Sequence, residues 1–341
     1  MKSFSCVVLV CVSLALAACA APGGARYAGG DFGSEGAWLH SVRNVVYDPA
    51  LGLTLDVYAP RRATNAPLVV FFGGERWARG DKADYGFVGE ALASQGFVAV
   101  VANYRFYPPA TYKQFLGDCA RAVVWAQRNA AKYGASANKT FVMGYSAGAY
   151  NAAMLALDPE FMKAAGGNRN SLAGMIGISG PYNFLPITAP DLRTIFWPPS
   201  DFNKTQPAYW VRSDNPPMLL LASRANQVAN AADTQALFAA VKAAGGTVEE
   251  VMYDNLSHRD TLTVLATGAQ TRADEMKNIV SFVNRTLAKA GSRSTDGSSG
   301  IRTQPSPMLP AMTTTPEQLP APVALPPDAA PEGGSGFQMA P

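Results

Sequence analysis

Thr140-Phe-Val-Met-Gly-Tyr-Ser-Ala-Gly-Ala-Tyr150 decides how the rest of this chain is read. A short apolar strand runs into Gly144-Tyr145-Ser146-Ala147-Gly148, and a helix of small residues follows through Leu157. Strand, tight turn and helix are the setting that a G-x-S-x-G elbow needs. A serine on such a turn sits in strained backbone, and strand and helix nearly touch there, so the residues two before and two after it must lack bulk. Gly144 and Gly148 meet that demand. The turn also aims the first N–H of the new helix, that of Ala147, at the place where a negative oxygen would form beside Ser146. Ser146 is therefore the candidate nucleophile.

Working outward, strand and helix patterns alternate. Val42 to Tyr47 and Leu53 to Tyr58 read as strands joined by the turn residues Asp48-Pro-Ala-Leu-Gly52, so a hairpin is expected. Pro67 to Phe72 is a continuous apolar run of the kind that is buried on both faces in the middle of a sheet. Helix Tyr85 to Gln95, strand Phe97 to Asn103, helix Tyr112 to Tyr133 and strand Thr140 to Met143 follow in turn. Beyond the elbow come strand Leu172 to Ser179, strand Met218 to Ala222, helix Asp233 to Ala244, strand Thr247 to Tyr253 and helix Ala273 to Leu287. This rhythm predicts an α/β fold: a mostly parallel twisted sheet with helices on both faces, wound by right-handed crossovers. Residues 185–217 interrupt it with prolines and aromatics, including Phe196, Trp197, Tyr209 and Trp210. That stretch reads either as a short cap or pocket wall over the site, or as a long surface loop.

Gly73-Gly74-Glu75-Arg76-Trp77 directly follows the central apolar strand. A glycine loop at this point lets backbone N–H groups approach a substrate carbonyl. Gly74 and Glu75 are the expected donors, provided that the Glu75 carboxylate points away. The chain has only two histidines, and His40 precedes the whole sheet. His258, a few residues after the last strand, is thus the one base that chain order brings to the edge occupied by Ser146.

With 341 residues, 48% of them hydrophobic, the chain can bury one large core and still carry appendages. Its 28 basic and 25 acidic residues leave a net charge of +3 without long runs of either sign, which argues against a nucleic-acid partner. Metal-site signatures such as H-E-x-x-H or paired cysteines are missing from the sequence, as are G-x-G-x-x-G and P-loop motifs, so neither metal nor cofactor is expected. At the start, Lys2 and the apolar run Val7 to Ala18 form a targeting signal, too short to span a bilayer comfortably. Its end, Leu16-Ala17-Ala18-Cys19, is similar to a bacterial lipobox. That similarity implies cleavage before Cys19, lipidation of Cys19, and, with Ala20 next, an outer-membrane lipoprotein facing the periplasm; the alternative is an ordinary cleaved signal and secretion. Residues 19–36 then serve as a tether, and residues 37–290 as the folded domain. From 291 onward, Pro, Ser, Thr, Ala and Gly dominate a tail that cannot bury enough apolar surface to order itself. Of four cysteines, Cys6 and Cys11 leave with the signal and Cys19 carries lipid, so no disulfide is expected for Cys119.

Trp77 with Gly80-Asp81-Lys82, Asn103-Tyr104-Arg105, Gly144 to Gly148, Ser179-Gly-Pro-Tyr182 and Ser257-His258 together resemble the α/β-hydrolase superfamily. Its carboxylesterase and hormone-sensitive-lipase-like branches, including feruloyl and acetylxylan-type esterases and kynurenine formamidase-like proteins, are the most similar. The resemblance implies a small-molecule ester substrate, with amide or formamide hydrolysis as a further option. It implies Ser146 as nucleophile, His258 as base, and Gly74, Glu75 and Ala147 as oxyanion donors. It also implies an aspartate after the strand Met218 to Ala222, where Ser223-Arg-Ala-Asn-Gln-Val228 supplies Asn226 instead. Asn183 likewise stands where such proteins commonly have Asp. An amide can orient an imidazole but cannot stabilise imidazolium by charge. Asp233 is the alternative acid, and Asp254 and Asp260 are the carboxylates near His258 in sequence. A catalytically weakened envelope binding protein is the reading that Asn226 keeps open beside the ester hydrolase.

Overall fold

The computed structural model describes residues 38–197, 202–266 and 273–296. Cys19, the lipobox, the tether and residues 297–341 lie outside the described residues. Eight strands form one sheet in the order β1-β2-β4-β3-β5-β6-β7-β8. They are β1 (Leu39–Asp48), β2 (Leu53–Pro60), β3 (Ala66–Phe72), β4 (Val98–Ala102), β5 (Ala135–Tyr145), β6 (Leu172–Ile178), β7 (Met218–Ser223) and β8 (Val248–Tyr253). β1 and β2 form the expected antiparallel hairpin, β2 pairs antiparallel with β4, and the remaining pairs are parallel. The helices are α1 (Gly86–Ser94), α2 (Tyr112–Asn129), α3 (Ala147–Leu157), α4 (Pro159–Ala164), α5 (Pro190–Ile195), α6 (Ala231–Ala243), α7 (Asp260–Thr263) and α8 (Glu275–Asp296). This is the α/β-hydrolase fold. One boundary moves: α8 continues past Ala290 to Asp296, into what composition alone assigned to the tail.

The strand β3 lies between β4 and β5, and Val69, Val70, Phe71 and Phe72 are all fully buried. Its alternate side chains feed two cores, as a strand covered on both faces must. Leu68, Val70 and Phe72 face the layer of α2 and α3. Val69 and Phe71 face the layer of α1 and α8. The parallel strands all end at the same sheet edge, and the loops that follow β3, β5, β7 and β8 meet there.

Much of the family-like sequence outside the elbow makes contacts that shape this edge. Lys82, itself buried, holds Asp56 on β2 at 2.8 Å, and its backbone N–H donates to Asn103 Oδ1 at 2.7 Å. Arg105 grips the fully buried Asp118 of α2 through Nε and Nη2, both at 2.8 Å. Tyr104 OH donates to the Gly73 carbonyl at 2.7 Å. Loop 73–82 is thereby tied to β2 and to the segment after β4, which Arg105 fastens to α2. Phe196, beyond α5, is fully buried against Trp77, Tyr150 and Phe184. Trp197, next to it, is largely exposed.

Candidate active site

Ser146 follows β5 with φ 54° and ψ −122°, a strained conformation for a residue with a side chain. Its N–H donates to the Ile178 carbonyl at 2.9 Å, which locks the turn to β6. The flanking glycines are sterically required. A Cβ on Gly144 would stand 2.1 Å from the Gly148 carbonyl oxygen, and one on Gly148 would stand 1.9 Å from that of Phe72.

His258 Nε2 lies 2.9 Å from Ser146 Oγ. The His258 carbonyl accepts from Tyr145 OH at 3.0 Å and from Thr261 Oγ1 at 2.7 Å, and Thr261 in turn is bonded to Ser179 Oγ at 2.9 Å. The Tyr145 ring lies 4.9 Å from the imidazole, centroid to centroid. These positioning residues sit beside recognisable motif residues, yet their hydroxyl contacts span 113 and 82 positions of sequence, so no local pattern announces them. Burial pulls the His258 pKa down to about 4, with the Glu75 carboxylate acting in the opposite direction.

Asn226 occupies the third position. Its Nδ2 lies 3.0 Å from His258 Nδ1, and its Oδ1 accepts the backbone N–H groups of Val228 and Ala229, each at 3.0 Å. Two donors on Oδ1 fix which end of the amide faces the ring. The facing end is NH2, which can only donate, so Nδ1 must be the acceptor and the proton of neutral His258 resides on Nε2. Nε2–H then donates to Ser146 Oγ. That is the reverse of the tautomer needed to remove the serine proton.

The substitute carboxylates do not replace Asn226. Asp254 pairs with Arg224 on the surface, and Asp260 accepts from Ser257 Oγ at 2.7 Å. Asn183 is exposed. Asp233, the alternative acid, has no hydrogen bond to His258; it lines the cavity in front of Ser146. Asp233 therefore belongs to the cavity wall, carried there in the first turn of α6, which begins five residues beyond Asn226.

The oxyanion loop also differs from expectation. Gly74 N–H donates to the hydroxyl of buried Tyr85 at 2.8 Å, and Glu75 N–H donates to the Arg79 carbonyl at 2.9 Å. Both expected donors thus already have acceptors, the second within an Arg79–Glu75 hairpin that a 2.6 Å ion pair closes. Arg76 and Trp77 come next, with φ of 50° and 56°, and both line the cavity with Ser146 and Ala147. The Trp77 indole is fixed by a 3.0 Å bond to Asn151 on α3 and by stacking on Phe115 of α2.

The cavity has a volume of about 210 Å³. Pro181, Phe184, Leu192, Val228 and Ala229 supply apolar walls, and Arg76, at the rim, is held by Asp191 of α5 at 2.7 Å. A larger cleft of about 320 Å³ lies at the opposite end of the strands, lined by Leu172, Thr247, Glu249 and Arg285, away from Ser146 and His258.

Fold and site together define an α/β-hydrolase with a Ser-His pair on a nucleophile elbow. The BD-FAE family model matches residues 55–241, more than half of the chain, and the chain belongs to that family. Among curated relatives, it is 26% identical over 241 residues to a probable isoprenylcysteine alpha-carbonyl methylesterase, ICMEL1, of Oryza sativa subsp. japonica, covering 64% of this chain and 57% of the relative. It is 29% identical over 199 residues to esterase LipC of Mycobacterium tuberculosis, covering 52% and 49%. The chain thus spans about half the length of these relatives. Esterase B from Lactobacillus rhamnosis, in a structure with a tributyrin phosphonate, superposes with a TM-score of 0.67 at 17% identity, covering 76% of this chain and 90% of that one. At that identity the likeness concerns the fold.

Proposed function

We propose that this protein is a serine hydrolase of carboxylic esters that works through an acyl-enzyme. The single observation that carries this reading is the 2.9 Å contact between Ser146 Oγ and His258 Nε2 on a strained elbow, opening into a cavity. Family membership and the esterase names of its relatives support it. Ser146 attacks the ester carbonyl, His258 takes the serine proton and returns it to the leaving alcohol, and water then releases the acid. Ala147 N–H, at the start of α3, meets the oxyanion, joined by an N–H from the Arg76-Trp77 turn in place of Gly74 and Glu75.

For His258 to act as base, Nδ1 must hold the proton, and Asn226 must turn its oxygen toward it. That rotation leaves two backbone N–H groups facing an NH2. At about 1–3 kcal/mol for each unsatisfied donor, the penalty is about 2–6 kcal/mol, or roughly 30- to 3 × 10⁴-fold in rate. Turnover is therefore slow. The same amide favours the second reading, an envelope binding protein with weakened catalysis. Release of acid from short aryl esters, stoichiometric labelling of Ser146 by a fluorophosphonate, and loss of both in Ser146→Ala test the hydrolase. Absence of labelling and turnover in the native protein would leave the binding protein.

The anchor belongs to the same proposal: lipid on Cys19 holds the domain at the outer membrane, facing the periplasm, supported by Leu16-Ala17-Ala18-Cys19. Labelling with a palmitate analogue, lost in Cys19→Ala together with membrane sedimentation, tests it. An unlabelled, secreted native protein would refute it.

A further inference from the structure

The cavity before Ser146 contains one ionisable group that the proposed catalysis does not use. Asp233 lies in the first turn of α6, partly buried, and its carboxylate has no hydrogen-bond or ion-pair partner among the described residues. Burial raises its pKa to about 6, so water solvates it poorly, yet it is ionised at neutral pH. The other charge in the lining, Arg76, is already neutralised by Asp191. His258 stays uncharged well below neutrality. Tyr182, packed near Asp233, is fully buried and pushed further toward its neutral form by that carboxylate. The cavity therefore carries a net charge of one, negative, set among apolar walls of Phe184, Leu192, Pro181 and Trp77.

Resting on the ester-hydrolase reading, we infer that Asp233 selects esters bearing a cationic group, a primary or quaternary ammonium, close to the scissile bond. A cation gains twice in such a place. It pairs with a carboxylate that lacks a counter-ion, in a site where charge is weakly screened, and it can rest on the partly exposed Phe184 ring. A neutral group of equal shape gains only the apolar contact. An anion meets Asp233 across about 210 Å³, below the usual range of ligand sites, with little room to move away.

Two matched ester series test this, one with the charge on the alcohol and one with it on the acyl chain. The first is acetylthiocholine, 3,3-dimethylbutyl thioacetate and S-acetyl-3-mercaptopropionate. The second is the 4-nitrophenyl esters of 6-aminohexanoate, heptanoate and adipate. In at least one series the cationic member should exceed the neutral one at least tenfold in kcat/KM and the anionic member should fall at least tenfold below it. In D233N both ratios should come within about threefold of unity. Flat ratios in both series, or ratios that persist in D233N, overturn the inference while leaving the hydrolase reading intact. Calorimetry with choline against 3,3-dimethylbutanol reads the same selectivity without turnover. If no ester is hydrolysed, tighter choline binding that disappears in D233N sustains the role of Asp233 and rejects the hydrolase, whereas equal binding of both alcohols rejects the role as well.

Discussion

The elbow after β5 and the loop after β7 stand on either side of one histidine, and both are held by backbone. At the elbow, backbone fixes a side chain in its reactive state: Ser146 is strained outward because Gly144, Gly148 and the Ile178 carbonyl leave no other path. After β7, two backbone N–H groups fix an amide in the unreactive state, with NH2 toward His258. The same scaffold would place a carboxylate well, because one oxygen would take the Val228 and Ala229 donors and the other would accept from Nδ1–H. Geometry at this sheet edge is thus set by the fold, and protonation by one side-chain atom.

The sharpest way to break this contrast is Asn226→Asp. It should raise kcat on short aryl esters by about 10²–10⁴-fold, by analogy with the roughly ten-thousand-fold loss on the reverse change in a serine protease triad. Steady-state rates decide it, and an unchanged kcat would mean that the amide does not control the tautomer. Next in size is Gly148→Ala, which drives a Cβ into the Phe72 carbonyl. At least about 3 kcal/mol of stability should be lost, beyond ordinary overpacking because backbone must shift. Denaturant midpoints would show this, whereas Ala substitution of Gly96, which has no atom within 4 Å of its added Cβ, should be milder and limited to backbone strain. Tyr85→Phe removes the partner of Gly74 N–H and should destabilise by about 1–3 kcal/mol in thermal unfolding. The smallest effect is on pH. In the native protein His258 stays neutral down to about 4, so kcat/KM on uncharged esters, which gain nothing from the Asp233 charge, should remain level as pH falls from 7 to 5 and decline only near pH 4. In Asn226→Asp the new carboxylate stabilises imidazolium, so the acid limb should move to higher pH.

That Ser146, His258 and Asn226 meet at one sheet edge was legible in the sequence for steric and topological reasons. The elbow imposes glycines two residues to either side of its serine, and with two histidines in 341 residues chain order leaves His258 alone at the correct edge. That the Gly74 and Glu75 N–H groups already have acceptors was not legible. Where an N–H points depends on loop torsions and on acceptors such as Tyr85 OH, eleven residues from Gly74. The tautomer was hidden for a similar reason: an asparagine letter says nothing of which end meets the imidazole. Asp233, which begins the next helix, could serve as a substitute acid only if the loop folded back to His258, and the first turn of α6 instead carries it to the cavity wall.

Phe196 has a kinetic consequence. The segment after β6 is pinned at its middle by this fully buried ring under Trp77, and again where Tyr150 OH meets the Thr205 carbonyl at 2.7 Å. A wall nailed to the core at two points does not need an oil surface to pull it open. Velocity should therefore follow the concentration of dissolved ester along a plain hyperbola, with no upward break where the ester begins to form droplets.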